Sequence, residues 1–213
     1  RIDHDYYPLD NGHILINCIV DHMAPELGQE LRRHPYLIEI TPDKELVWEW
    51  HGEEHLQELI DLVGLEVPID WETRVEQRMK VRMSWDIRLQ NASPQELEAE
   101  RLRLIARFPF DWAHNNTSQV IGENAASKDP RFRPGNIVFS YTKVNIIGVI
   151  DRDSGEIVWA WGPGELDGHH KPHMLPNGHI LIYDNGSSRG WSRVVGMDPL
   201  TNEIVWEYVG TPK

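Results

Sequence analysis

The sequence predicts an all-β chain made of repeated four-stranded units, and three observations lead there. The first is a repeat. Gly12-His-Ile-Leu-Ile, Gly135-Asn-Ile-Val-Phe and Gly178-His-Ile-Leu-Ile each open a run that continues through YLIEITPDKE, IIGVIDRDSGE or RVVGMDPLTNE and closes on LVWEW, IVWAW or IVWEY. The leading glycines of the last two copies lie 43 residues apart, and the first Trp of their closing strands 47 apart. The second is the texture of each copy: β-branched apolar runs of about 4–8 residues bounded by turn residues, the pattern of strands in hairpins. The third is turn chemistry. Asp10-Asn11-Gly12, Asp153-Ser154-Gly155 and Pro176-Asn177-Gly178 supply residues that tolerate the positive φ of a tight hairpin. The segments DHDYYPL, AHNNTSQVI and HHKPHML ahead of the glycines add a fourth strand to each unit. Four strands and a closing Trp every ~40–50 residues is the layout of β-propeller blades.

On this basis the chain divides into a blade over residues 1–50, a helical insertion over 51–110, and blades over 111–162 and 163–213. In the insertion, EEHLQELIDLVGL, WETRVEQRMKVRMSWDIRL and PQELEAERLRLIARF place apolar residues three and four apart, the helical period. Ser93, Pro94 and Glu96 form a capping box with proline at the first helical position. The charges along these helices alternate in sign and are read as a solvated face. The insertion is expected to lie over one face of the blades, as a lid or as a surface for self-association or a partner. Three blades fall short of the four to eight in a ring, so a longer chain or further copies are expected to complete it. A start at Arg1 rather than Met agrees with a processed or partial chain.

Composition narrows the function. With 40% hydrophobic residues and nine Trp among 213 residues, the chain has material for a core. A formal charge of −13 and a pI near 5.2 oppose a nucleic-acid or anionic-membrane surface, because the long-range field repels polyphosphate. No apolar run is long enough to span a bilayer. The single cysteine, Cys18, rules out an internal disulfide and a Cys-rich zinc module.

The repeat also sorts the histidines. His4 lies eight residues before Gly12 and His170 eight before Gly178, so they hold matching positions on the first strands of two blades. His114, in DWAHNN, opens the corresponding strand of the middle blade. The first strands of propeller blades face the central channel, and His4, His114 and His170 are expected to converge at one end of it. His13 and His179 follow the turn glycines and are assigned to hairpin surfaces. His22, His34, His51 and His55 match no repeat position and are read as incidental; His169 and His173 stay open. Trp48, Trp159 and Trp206 recur once per unit and are read as packing between blades.

HDYYPLDNGHILI, DWAHNN, GNIVFSYTKVNIIGVIDRDSGEIVWAWG and HHKPHMLPNGHILIYDNGSSRGWSR resemble the bacterial arylsulfate sulfotransferase family over residues 1–50 and 111–213. The resemblance implies a six-bladed propeller in the periplasm or outside the cell. It also implies transfer of a sulfuryl group from an aryl sulfate to a phenol through a sulfated histidine, with no cofactor. Aligned on Leu175-Pro176-Asn177-Gly178, the family's nucleophile falls at His170, and its other channel histidines at His4 and His114. Where family members carry a sulfate-binding arginine, in Ser-Ser-Arg or Ser-x-Arg, this chain reads Phe139-Ser140-Tyr141. Asn115, Tyr141, Lys171, Asn185, Arg189 and Arg193 are then the expected substrate-binding residues, with Lys143 a further nearby cation.

Two other functions suit the same residues. His4, His114 and His170 could hold copper or zinc in an oxidoreductase, since imidazole is a preferred ligand of both. A propeller can also be a binding scaffold with no chemistry of its own.

Overall fold

The structure, a computed structural model, describes residues 1–67 and 69–210. Each repeat folds as a four-stranded antiparallel meander, its strands in chain order across the sheet. Sheet 1 is β1 Ile2–Pro8, β2 Ile14–Met23, β3 Leu31–Ile40 and β4 Leu46–His51. Sheet 2 is β5 Asn115–Val120, β6 Ile137–Tyr141, β7 Ile146–Ile150 and β8 Ile157–Trp161. Sheet 3 is β9 His169–Met174, β10 Ile180–Asp184, β11 Arg193–Asp198 and β12 Glu203–Val209. The sheets do not join into a barrel, and β1 and β9 each lie beside β5. The end of the third unit, residues 211–213, falls outside the described residues.

Sheet 2 sits between the other two, and its sequence shows why. Ile137–Tyr141 and Ile146–Ile150 are buried at every position, as a sheet covered on both faces requires. One core joins Leu15, Leu37 and Trp50 of sheet 1 to Phe139, Ile146 and Ile150 of sheet 2. Another joins Val149 and Trp159 of sheet 2 to Ile180, Ile182 and Val195 of sheet 3. The outward strand β12 is largely exposed.

The closing tryptophans link neighbouring sheets, although not all by the same residue. Trp50 Nε1–H donates to the Gly155 carbonyl in the next sheet at 2.8 Å, and Trp159 Nε1–H donates to Asn202 Oδ1 at 3.1 Å. Trp48 is only partly buried against the first core. Trp206, on the outward strand β12, is 52% exposed, with no further sheet over it among the described residues.

Between β4 and β5 lie α1 Leu56–Val63, α2 Trp71–Trp85, α3 Ile87–Gln90 and α4 Pro94–Phe110. Leu56 and Leu59 of α1 enter the core between sheets 1 and 2. Val75 and Met79, one turn apart on α2, close a small core with Leu104 of α4. The capping box forms as the sequence requires: Ser93 accepts from the Glu96 N–H, and Glu96 accepts from the Ser93 N–H. Asp70 and Asp86 cap α2 and α3 through their carboxylates.

Candidate active site

Bulges in the first strands aim the histidines. In β1, four residues from Ile2 to Tyr6 oppose the two-residue step from Cys18 to Ile16. In β5 and β9, three residues oppose two: Asn115 to Ser118 against Tyr141 to Phe139, and His170 to His173 against Tyr183 to Leu181. Bulges of this kind redirect side chains at strand ends. They also alter the equivalence drawn from spacing. Counted from the hairpin His4 matches His170; counted from the far end it matches Lys171. For this pair backbone conformation follows the second count, with φ of 37° at His4 and 55° at Lys171; on that count His114, φ 54°, falls level with Gly168, φ 70°.

The histidines nevertheless meet. The rings of His4 and His114 pack edge to face, 4.6 Å between centroids, and both lie close enough to His170 to disfavour its protonation. His114 and His170 line a cavity of about 320 Å³, the size of a small-ligand pocket. His114 Nδ1 lies 2.6 Å from the Asp111 carboxylate, an arrangement that fixes the ring and leaves Nε2 for chemistry. Burial alone would raise the Asp111 pKa, but the His114 hydrogen bond and the Lys143 charge hold it at about 2. Lys143 Nζ stands 3.3 Å from the same carboxylate.

His170 is held from behind. Gly168 N–H donates to Asn145 Oδ1 at 2.9 Å. The Gly168 carbonyl accepts from Asn185 Nδ2 at 2.7 Å and faces His170 Nδ1 at 3.2 Å. Asn185 Nδ2 also stands 3.0 Å from His170 Nδ1; in the tautomer whose Nδ1–H donates to the Gly168 carbonyl, Nε2 carries the lone pair. Gly168 has φ of 70°, and a Cβ there would run into Ser187, so only glycine fits. Burial, then the neighbouring histidines, lower the His170 pKa below its ordinary value; the ring is neutral near pH 7.

The rest of the cavity lining is largely cationic and comes mostly from the helices. Arg74, Arg78 and Arg82 of α2, Arg103 and Arg107 of α4, and Lys143 line the cavity together with the histidines, with Asp167 the acid among the lining residues. Arg82 and Arg103 are engaged with Glu100, and Arg74 donates to the Lys143 carbonyl at 2.8 Å. Arg78 and Arg107 have no hydrogen-bond or ion-pair partner for their guanidinium groups among the described residues. Burial, then the neighbouring Arg82 charge, lower the Arg78 pKa despite the opposing pull of Asp167, as for a cation partly held out of water beside another cation. The helical charges expected to be a solvated face are therefore partly turned inward. Their signal was present in the sequence: residues 74, 78 and 82, and residues 103 and 107, recur every fourth position, one face of a helix.

Of the expected substrate-binding residues, Asn185 lines the cavity; the others do not. Tyr141 is fully buried between Trp112 and Phe139, because it sits on a strand covered on both faces. Asn115 braces the bulge, accepting the Ser140 N–H at 3.2 Å. Lys171 reaches Asp5 of sheet 1 at 2.6 Å. Arg189 and Arg193 converge on the buried Asp184 carboxylate at 3.0 and 2.8 Å. His173 faces outward on β9, whereas His169 is fully buried. Burial pushes the His169 pKa down to about 3. Asp111, Thr142, Asn145 and Asp167 shape the site without having been singled out by sequence.

Among the described residues, His4, His114 and His170 do not form a trio of closely spaced metal donors; His22, His34 and Glu53 do. No helix is long and apolar enough to cross a membrane. Comparison of the chain with known protein families, with curated proteins and with solved structures finds no match.

Proposed function

We propose that the three sheets are blades of a β-propeller, and that the cavity transfers a sulfuryl group from an aryl sulfate to a phenol through a sulfated His170. The observation that carries this reading is that two oriented imidazoles share one cavity with a cluster of arginines. His170 is neutral and backed by the Gly168 carbonyl; His114 is backed by Asp111; Arg78 and Arg107 line the same cavity. The arginine missing at Tyr141 is replaced, in this reading, by arginines of the insertion.

The steps balance. The aryl sulfate places its anionic oxygens toward Arg78, Arg107 and Lys143. His170 Nε2 attacks sulfur, the S–O bond to the aryl group breaks, and the departing phenolate takes a proton from the His114 imidazolium. The phenol leaves, and the acceptor phenol gives its proton to the now neutral His114. The acceptor oxygen attacks sulfur, the S–N bond breaks, and His170 is restored. A covalent carrier divides one transfer into two easier ones, while fixed cations stabilise the charge that develops on oxygen. By resemblance, such a protein works in the periplasm or outside the cell.

The test is turnover of a chromogenic aryl sulfate with a phenolic acceptor. Parallel-line, ping-pong kinetics and loss of turnover in His170→Ala are expected. Full activity in His170→Ala would refute the nucleophile, and no turnover with any aryl sulfate would favour a binding scaffold.

A further inference from the structure

A second polar cluster lies where the far ends of β2 and β3 meet both ends of the helical segment. His34 pairs with Val20 across the hairpin and His22 with Arg32, so the two histidines are diagonal neighbours on one face. Their rings stack, 4.3 Å between centroids. His34 is fully buried. Its Nε2–H donates to the His22 carbonyl at 3.1 Å, and its Nδ1 then accepts the Trp112 Nε1–H at 3.3 Å. Glu53, just after β4, brings Oε1 to 2.9 Å from His22 Nε2. The other oxygen, Glu53 Oε2, is buried without a hydrogen-bond partner.

Tyr141 Oη is likewise buried and unpartnered. It abuts Gly52, where a Cβ would stand 2.5 Å from it. One donor atom from each of His22, His34 and Glu53 lies within 4.8 Å of the others. Among the described residues no other trio of His, Cys, Asp or Glu meets that spacing.

We propose that His22, His34 and Glu53 bind one zinc-class divalent ion. Two imidazoles and a carboxylate make a three-ligand set with a fourth position for water, and imidazole selects transition metals over calcium or magnesium. The His34 Nε2–H bond to the His22 carbonyl is the outer-shell contact that fixes the tautomer, directing Nδ1 to the ion. The ion displaces the long Trp112 N–H bond from that nitrogen and supplies the counter-charge that the buried Glu53 oxygen lacks. Because the rings stack, the His22 ring turns about its χ2 so that both nitrogens reach one centre. Glu53 stands at the start of the helical segment and Trp112 just beyond its end. The ion therefore ties the start of the segment, through Glu53, to sheet 1, at residues outside the lining of the His114 and His170 cavity.

The test uses the full chain without an affinity tag, stripped with chelator, dialysed against zinc(II) and assayed for bound metal, with cobalt(II) as a spectroscopic probe. One zinc per chain is expected, with the visible absorption of a low-coordinate cobalt site. Outer-shell changes at metal sites cost about 10–100-fold in affinity; Glu53→Gln and His22→Gln, which remove ligands, are each expected to cost more than that. Both leave the buried His34 in place, and circular dichroism checks that the strands persist. His170→Ala should keep the zinc. Failure to retain zinc, retention unchanged in both ligand variants, or retention lost in His170→Ala would each overturn the proposal.

Discussion

His114 Nδ1 and the Asp111 carboxylate stand 2.6 Å apart, and this pair sets which nitrogen of His114 meets the cavity. Asp111 follows the last helix and His114 precedes β5, so the junction between insertion and sheet 2 builds the dyad. Asp111→Asn keeps the shape and removes the charge. Turnover should fall by about 10²–10⁴-fold, the usual contribution of general acid–base catalysis. The loss should shrink for donors whose phenol leaves readily without a proton. An equal loss across a series of leaving phenols would mean that Asp111 only supports the fold.

Arg78 and Arg107 test the cationic wall. Neither guanidinium has a partner among the described residues, so Arg78→Ala should leave thermal stability nearly unchanged. Hydrogen bonds to charged groups contribute about 1.5–3 kcal/mol, which corresponds to about a 10–150-fold rise in KM for an anionic donor. Replacing both should also flatten the dependence of kcat/KM on ionic strength. Unchanged KM in the double variant would remove the helices from substrate binding.

His169 gives stability a pH dependence with a definite sign. Its folded pKa, about 3, lies below the ordinary histidine value of 6.5, so as pH falls the unfolded chain takes the proton first. The stabilisation is complete above about pH 6.5 and is lost as pH falls toward 3, at up to about 1.4 kcal/mol per pH unit for this one group. Below about pH 4 the Asp111 hydrogen bond adds a loss of the same sign. Denaturant titrations across this range should show the decline, and His169→Gln should flatten it.

The tryptophans separate contact from exposure. Trp50→Phe and Trp159→Phe each delete an N–H bond into the next sheet and should cost about 1 kcal/mol plus some packing. Trp206→Phe, half-exposed on the outward strand, should cost less than about 0.5 kcal/mol. Denaturation midpoints of the three variants check the order.

The strands were legible because turn residues and β-branched runs act locally. Gly12, Gly135 and Gly178 mark the turns, and the strands follow within two residues of each. The meeting of His4, His114 and His170 was legible from the repeat, although bulges changed the equivalence on which it rested. The arginine wall was not read, because alternating charges on a helix describe either face until its packing partner is known; Val75 and Met79 decide it here. His22 and His34 escaped notice because diagonal neighbours across a long hairpin have no fixed sequence spacing. Tyr141 was expected at the cavity because it stands at the position of the family's arginine, and burial of its strand on both faces takes it out of reach.

The most direct measurement of the account is the modification state of His170 during turnover. The chain is mixed with an aryl sulfate in the absence of acceptor, quenched under alkaline conditions and digested for mass spectrometry. A single sulfuryl group on His170 is expected, discharged by adding a phenol and undetectable in His170→Ala. Release of the donor's phenol with no sulfuryl group on the protein, or with the group on another residue, would contradict it.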